Sequence, residues 1–164
     1  MKHGIFSGRA LIVIAASLLL AIAAPAHAQD RPTSNQEIVG LVGDSVFNDH
    51  DFSVLEDYMR ADYIQHNPLV PQGRDGFRTF FEAAFEAIPD WSYTLKNIIA
   101  DGDFVWVYGS YAGTQKGDWL GIAASGKSFA FDAVDIFRVE DGKLAEHWDV
   151  MDIYGLFTQL GALE

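Results

Sequence analysis

The chain has 164 residues, 23 acidic against 11 basic, a formal charge of −12 and no cysteine. That length allows one domain rather than two. Its acidity repels phosphate backbones and anionic lipid, which argues against nucleic-acid and membrane-surface roles, and the missing thiols remove disulfides, cysteine nucleophiles and thiolate metal sites.

Lys2 and Arg9 precede the apolar run ALIVIAASLLLAIAAPA, and AHA (26–28) stands just before Gln29. A basic start, an apolar middle and a small-x-small ending predict a signal peptide over residues 1–28, cut after Ala28. The protein is then periplasmic or secreted, with no membrane association once the signal is gone. The alternative is an uncleaved anchor, but the run is only marginally long enough to span and contains Pro25. Cleavage would remove two basic residues and no acidic one. Residues 29–34 read as a flexible lead-in, and 35–164 as a single domain.

Within that domain Ile38, Leu41, Val42, Val46 and Phe47 recur at helical spacing. NDHD breaks the run, with His50 on the solvent side of a turn, and Phe52, Leu55, Tyr58 and Met59 begin a second short helix. ADYIQHNPLVPQG is a loop or short extended piece, because its prolines disfavour a helix. GRDGFRTFFEAAFEAIPD is an amphipathic helix with a stripe of Phe77, Phe80, Phe81, Ala84, Phe85 and Ile88, ended by Pro89. From Trp91 onward the pattern alternates: WSYTLKNIIADGD, FVWVYGSYAGTQKG, and a hairpin in KSFAFDAVDIFRVEDGKLAEHWDVMD. IYGLFTQLGAL closes the chain as a short helix or tail. Helices first and a long curled antiparallel sheet after them predict an α+β domain.

The hairpin carries the chemistry. Alternation sets Phe129, Phe131, Ala133, Asp135 and Phe137 on one strand face, apolar except for Asp135. On the return strand Ala145, His147, Asp149 and Met151 share a face, opposite Leu144, Glu146, Trp148, Val150 and Asp152. A three-residue loop, Glu140-Asp141-Gly142, sets Asp135 beside His147 and Ala133 beside Asp149. A two-residue Asp141-Gly142 turn sets Trp148 beside Asp135 instead. The first register is preferred because it gathers a polar cluster around a buried acid. Burial disfavours an ionised carboxylate while a neighbouring imidazolium favours it, a combination suited to acid/base work near neutral pH. The same pair could equally be a structural hydrogen bond that satisfies two buried groups.

His66, in YIQHNP, could face the cavity from the side opposite the hairpin or bond local backbone. No His-x-His or His-x3-His spacing marks a metal site, GTQKGDWLG lacks the strand-to-helix context of a phosphate loop, and no serine sits in a Gly-x-Ser-x-Gly elbow. One of the four tryptophans could floor the cavity. The candidate site is Asp135, His147 and His66 as catalytic groups, with Tyr63, Asn67, Trp106, Phe131 and Asp149 as substrate contacts and no metal ligand.

YIQHNPLVPQGRDGFRTFF, GTQKGDWLGIAASGKSF and VDIFRVEDGKLAEHWDVMD resemble SnoaL-like polyketide cyclases of the nuclear transport factor two-like superfamily, over roughly residues 35 to 160. The resemblance implies a cone-shaped α+β barrel in which three helices and a curved sheet enclose an apolar pocket, often as a homodimer. It also implies ring closure by intramolecular aldol condensation, with an acidic residue as acid/base and neither metal nor cofactor. In the more distant ketosteroid isomerase, the strand motif carrying a hydrogen-bonding aspartic acid resembles VDIF and places Asp135 in the pocket. That enzyme's base position falls near Asn67, which cannot take a proton, and its pocket tyrosine near Asp44. Both departures argue against steroid isomerisation. The GTH of many SnoaL-like chains reads Gly113-Thr114-Gln115 here and lacks the histidine.

Two functions follow. One is a cofactor-free enzyme doing acid/base chemistry, as an aldol-type cyclase or an isomerase, on a small apolar carbonyl compound. The other is a non-catalytic periplasmic small-molecule binder. Epoxide or lactone hydrolysis would want an Asp–Arg–Asp cluster, and Arg138 points to the wrong face. Trp106 and Tyr108, large residues on an exposed sheet face, predict a homodimer.

Overall fold

The computed structural model describes residues 1 and 32–163; the expected signal peptide, Met1 aside, and the start of the lead-in lie outside the described residues. Pro32–Glu164 form one compact unit. Its elements are α1 (Asn35–Phe47), α2 (Leu55–Tyr58), β1 (Met59–Gln65), α3 (Gly73–Ala87), β2 (Ser92–Asp101), β3 (Phe104–Thr114), β4 (Ser128–Glu140), β5 (Lys143–Met151) and α4 (Ile153–Leu160). The five strands form one curved sheet in the order β1-β5-β4-β3-β2. β1 runs parallel to β5 and the other pairs are antiparallel. β1 and β2 are free edges, so the sheet does not close on itself. Helices complete the enclosure: α1 lies along β2, α3 against β1 and α4 against β4. This is the expected α+β cone.

Local chemistry accounts for the element ends. At the start of α1 the Glu37 N–H donates to Ser34 Oγ at 3.2 Å, while Glu37 Oε2 accepts from the Thr33 and Ser34 N–H groups at 2.6 and 3.1 Å. These donors, Thr33 foremost, hold the Glu37 carboxyl below the usual carboxylate range. Phe77 and Phe85 of α3 are buried against the core, and Phe81 meets Phe47 edge-on at 5.0 Å. Each such ring contributes about 2–3 kcal/mol by burial. Met59, expected in the second helix, begins β1 instead, where it pairs with Leu144. His50, expected at the solvent side, stacks on Phe85 at 4.0 Å, with its Nε2 buried and without a partner among the described residues.

The β4–β5 hairpin corrects the expected register. Asp141 and Gly142 both have positive φ, 51° and 74°, the backbone of a two-residue type I′ turn whose twist matches the flanking strands. Glu140 therefore pairs with Lys143. A bulge between Arg138 and Val139 shifts everything beyond it, so Phe137 pairs with His147, Asp135 with Asp149 and Ala133 with Met151. Asp135 faces neither His147 nor Trp148 directly. The extra residue leaves Leu144 and Ala145 both buried while keeping His147, Asp149 and Met151 on the helix-facing side.

Candidate active site

A cavity of about 380 Å³ lies between the helices and the inner sheet face, a volume that suits a small organic ligand. Its wall is mostly apolar, with Phe77, Val107, Phe131 and Leu156 among the lining residues. Besides Asp44 of α1 and Asn48 at its C-cap, its charged and amide groups come from neighbouring strands: Asp135 from β4, His147 and Asp149 from β5, Gln65 from β1 and Asn67 from the loop after it. The parallel pairing that sets Gln65 beside His147 joins β1 to this group. Asp135 and His147 are 8% and 7% exposed, so both must find partners inside the protein.

They do. His147 Nε2 lies 3.2 Å from Asp135 Oδ1, a diagonal contact across the ladder, and His147 Nδ1 lies 2.9 Å from Gln65 Oε1. The Asn67 N–H donates to the same Gln65 oxygen at 2.9 Å, which fixes that atom as the amide oxygen. An amide oxygen only accepts, so Nδ1 carries a proton. One proton is then left to be shared between Nε2 and Asp135. The pair is either imidazole with carboxylic acid or imidazolium with carboxylate. The Tyr111 hydroxyl donates to the other Asp135 oxygen at 2.9 Å, so both oxygens of this acid are engaged.

Asp149 differs. Its Oδ2 accepts from Asn67 Nδ2 at 2.6 Å, whereas among the described residues no group bonds Oδ1. Asp149 is half-buried and lines the cavity, so it presents an open carboxylate oxygen there. Donor atoms of Asp135, His147 and Asp149 lie within 4.8 Å of one another and could converge on one cation. To ligate it His147 would have to release Asp135 or Gln65, since both ring nitrogens are engaged.

Three tyrosines border the same space. Burial first, then the nearby Asp135, push the hydroxyls of Tyr111 and Tyr63 well above the ordinary phenol range, and the same two causes raise Tyr93. All three therefore stay protonated donors. Tyr111 has its acceptor, but the Tyr63 hydroxyl, in a residue 1% exposed, has no partner among the described residues.

Of the eight residues singled out in the sequence, Asp135, His147, Asp149, Asn67, Tyr63 and Phe131 line the cavity, while His66 and Trp106 do not. His66 follows Gln65 and takes the opposite side of the chain. It stacks on Trp148 at 4.6 Å, and its Nε2 meets Glu146 Oε1 at 2.8 Å. That contact, with Arg138 at 2.9 Å, holds the Glu146 carboxyl below its usual range. Trp106 lies on the outer face because Val105 and Val107 take the inward positions of β3, and Phe104, Trp106 and Tyr108 are 40–44% exposed. Gln65 and Tyr111 were not anticipated. The signal for both was alternation: Gln65 shares a face with Tyr63, and Tyr111 with Val105 and Val107.

Known proteins share this architecture. The chain is 28% identical over 113 residues to DauD, an aklanonic acid methyl ester cyclase of Streptomyces sp. (strain C5), covering 66% of this chain and 67% of the relative. It is 28% identical over 110 residues to DnrD, an aklanonic acid methyl ester cyclase of Streptomyces peucetius, covering 64% and 72%. The structure of TsrD from Streptomyces laurentii superposes with a TM-score of 0.72 at 34% identity, over 79% of this chain and 99% of that one. The SnoaL-like polyketide cyclase family profile matches residues 38–160, and with the open curved sheet and helix-capped cavity this means that the chain belongs to the SnoaL-like polyketide cyclase family.

Proposed function

We propose that this protein is a cofactor-free enzyme that closes or isomerises a small apolar carbonyl compound by proton transfer. The observation that carries the proposal is the Asp135–His147–Asp149 cluster inside a mostly apolar cavity. The cyclase activity named for the relatives DauD and DnrD supports the same reaction class.

In this mechanism the open Oδ1 of Asp149 removes a proton from the carbon next to a carbonyl, giving an enolate. The Tyr63 hydroxyl donates a hydrogen bond to the enolate oxygen. The enolate carbon attacks a second carbonyl of the same molecule, forming the carbon–carbon bond and an alkoxide. The proton shared by Asp135 and His147 passes to the alkoxide, and the proton held by Asp149 then returns to the pair over the short distance between them. Atoms balance, and the product is an isomer of the substrate. Asp149 is the group that touches substrate; Asp135, placed in that role from the sequence, serves here as the acid behind His147. His66 and Trp106 have no part in it.

The test is turnover of a substrate carrying two carbonyls in aldol relation, followed alongside its binding. Asp149→Asn should abolish turnover and retain affinity, and Asp135→Asn should slow turnover through His147. Both variants turning over like the wild type would sink the mechanism and leave a ligand carrier.

We further propose export with cleavage after Ala28, on the strength of the basic–apolar–small pattern. Mass spectrometry of the N-terminus from an envelope fraction tests it, and a full-length chain in the membrane would refute it. A homodimer through the outer sheet face is supported by exposed Ile99, Trp106 and Tyr108. A monomer mass by light scattering at micromolar concentration would overturn that.

A further inference from the structure

The glycines mark where the cavity opens. A side chain at Gly109 or Gly113 would strike Tyr93 or Ile88, and one at Gly76 or Gly117 would press on Pro71 or Ala87, so close packing requires glycine there. Gly102, Gly121, Gly126 and Gly142 have open space but positive φ, so the backbone requires it. Among the described glycines only Gly43 and Gly40 have neither reason, and while a Cβ at Gly43 would make an ordinary 3.7 Å contact with Tyr93, of the two open space is left only at Gly40. It sits inside α1 with ordinary helical backbone, nothing within 4 Å of an added Cβ, and it lines the cavity. A mid-helix glycine weakens its helix relative to alanine, and no atom of the described residues fills the space it leaves.

That space has a frame. At one end of α1, Asn35 Nδ2 donates to Gly102 O at 3.2 Å and Gln36 Nε2 to Ile98 O at 3.4 Å. At the other end the Tyr93 N–H donates to Asn48 Oδ1 at 2.8 Å. Between these ties β2 is interrupted by a bulge between Leu95 and Asn97. Gly40, Gly43 and Asp44 from the helix, and Leu95 and Ile98 from the strand, line the cavity there. Leu95 is 45% exposed although it lines the cavity, so this wall also meets solvent.

We infer that the slot between α1 and β2 is the mouth of the cavity and a binding subsite, and that Gly40 sets its width. This rests on the pocket described above, though not on the chemistry proposed for it. The subsite takes an apolar, uncharged part of the ligand, flat or chain-like, lying over Gly40 against Leu95 and Ile98. The Asp44 carboxylate at the rim disfavours an anionic group there.

The probe is Nile red, a flat neutral dye, titrated into purified protein by fluorescence alongside thermal unfolding. Gly40→Ala should raise Tm by about 3 °C, since alanine favours helix and the space is open. Gly40→Leu should leave Tm no lower than the wild type yet weaken Nile red binding by about tenfold or more. A Gly40→Leu variant that binds the dye like the wild type overturns the subsite. So does one with a lowered Tm, because the space would then not be open, and so does a wild type that takes up no dye. The proton-transfer mechanism is read separately, from turnover of Asp149→Asn, so failure of either reading leaves the other standing.

Discussion

Tyr63 and Tyr111 allow the same substitution to be made twice with opposite outcomes. Both are buried, at 1% and 8% exposure, and Tyr→Phe removes only the hydroxyl from each. Tyr111 donates to Asp135 at 2.9 Å. Its loss leaves a buried carboxyl oxygen without a donor, which costs about 1.5–3 kcal/mol. Among the described residues the Tyr63 hydroxyl has no partner. Removing it relieves the desolvation of an unsatisfied group, for a change between zero and a gain of about 1 kcal/mol. The two variants should therefore differ by about 1.5–4 kcal/mol.

Urea unfolding reads this directly. With a denaturant slope of about 2 kcal/mol per molar, the midpoints should separate by about 0.8–2 M, with Tyr63→Phe at or above the wild type and Tyr111→Phe below it. Activity should run the other way at position 63. If Tyr63 donates to the enolate oxygen, Tyr63→Phe is as stable as the wild type and about a hundredfold slower. Equal losses of stability at the two positions would refute the hydrogen-bond assignment. A stable Tyr63→Phe with full turnover would refute the catalytic role while leaving the assignment intact.

Alkaline pH gives a second handle, because the folded-state pKa values of Tyr63 and Tyr111 are raised. Their contribution is fully present below the unfolded value near pH 10 and is lost as pH rises above it, at about 1.4 kcal/mol per pH unit for each; half-buried Tyr93 adds a smaller share. Tyrosinate absorbance of these residues should appear together with loss of circular dichroism, and ionisation in the folded protein would contradict the burial argument. Chelator treatment should leave turnover unchanged; a loss restored by a divalent cation would make the Asp135–His147–Asp149 cluster a metal site. Gly142→Ala, at φ 74° with open space around the added Cβ, should cost about 1–2 kcal/mol in urea unfolding, all of it from the backbone. An unchanged midpoint would argue against the type I′ turn. His66→Ala should leave turnover intact, since His66 is on the outer side of the chain, and a large loss would return it to the site.

How far the site could be read from the sequence follows from the range of the signals. Asp135 was legible because β4 runs unbroken as Phe129, Phe131, Ala133, Asp135 and Phe137, so period-two alternation alone turns it inward. The return strand was less so. Asp141-Gly142, like Asp101-Gly102, is a strong short-range turn signal, and setting it aside for a longer loop that gathered the polar residues misplaced the register. The bulge beyond Arg138, which no residue type announces, moved it once more. His147 and Asp149 still reached the inner face because the turn and the bulge together shift the pairing by an even count relative to the register first favoured, and an even shift preserves which side faces in. His66 failed for a different reason. It is one residue past Gln65, and one residue decides the face, yet only the parallel pairing of β1 with β5 fixes where alternation starts. That pairing joins residues 82 apart, Gln65 to His147. It also places the amide oxygen that puts a proton on His147 Nδ1 and leaves the other to be shared with Asp135. A periodicity confined to one strand cannot report a proton position set by the neighbouring strand, so the cluster's composition is local information and its chemistry is not.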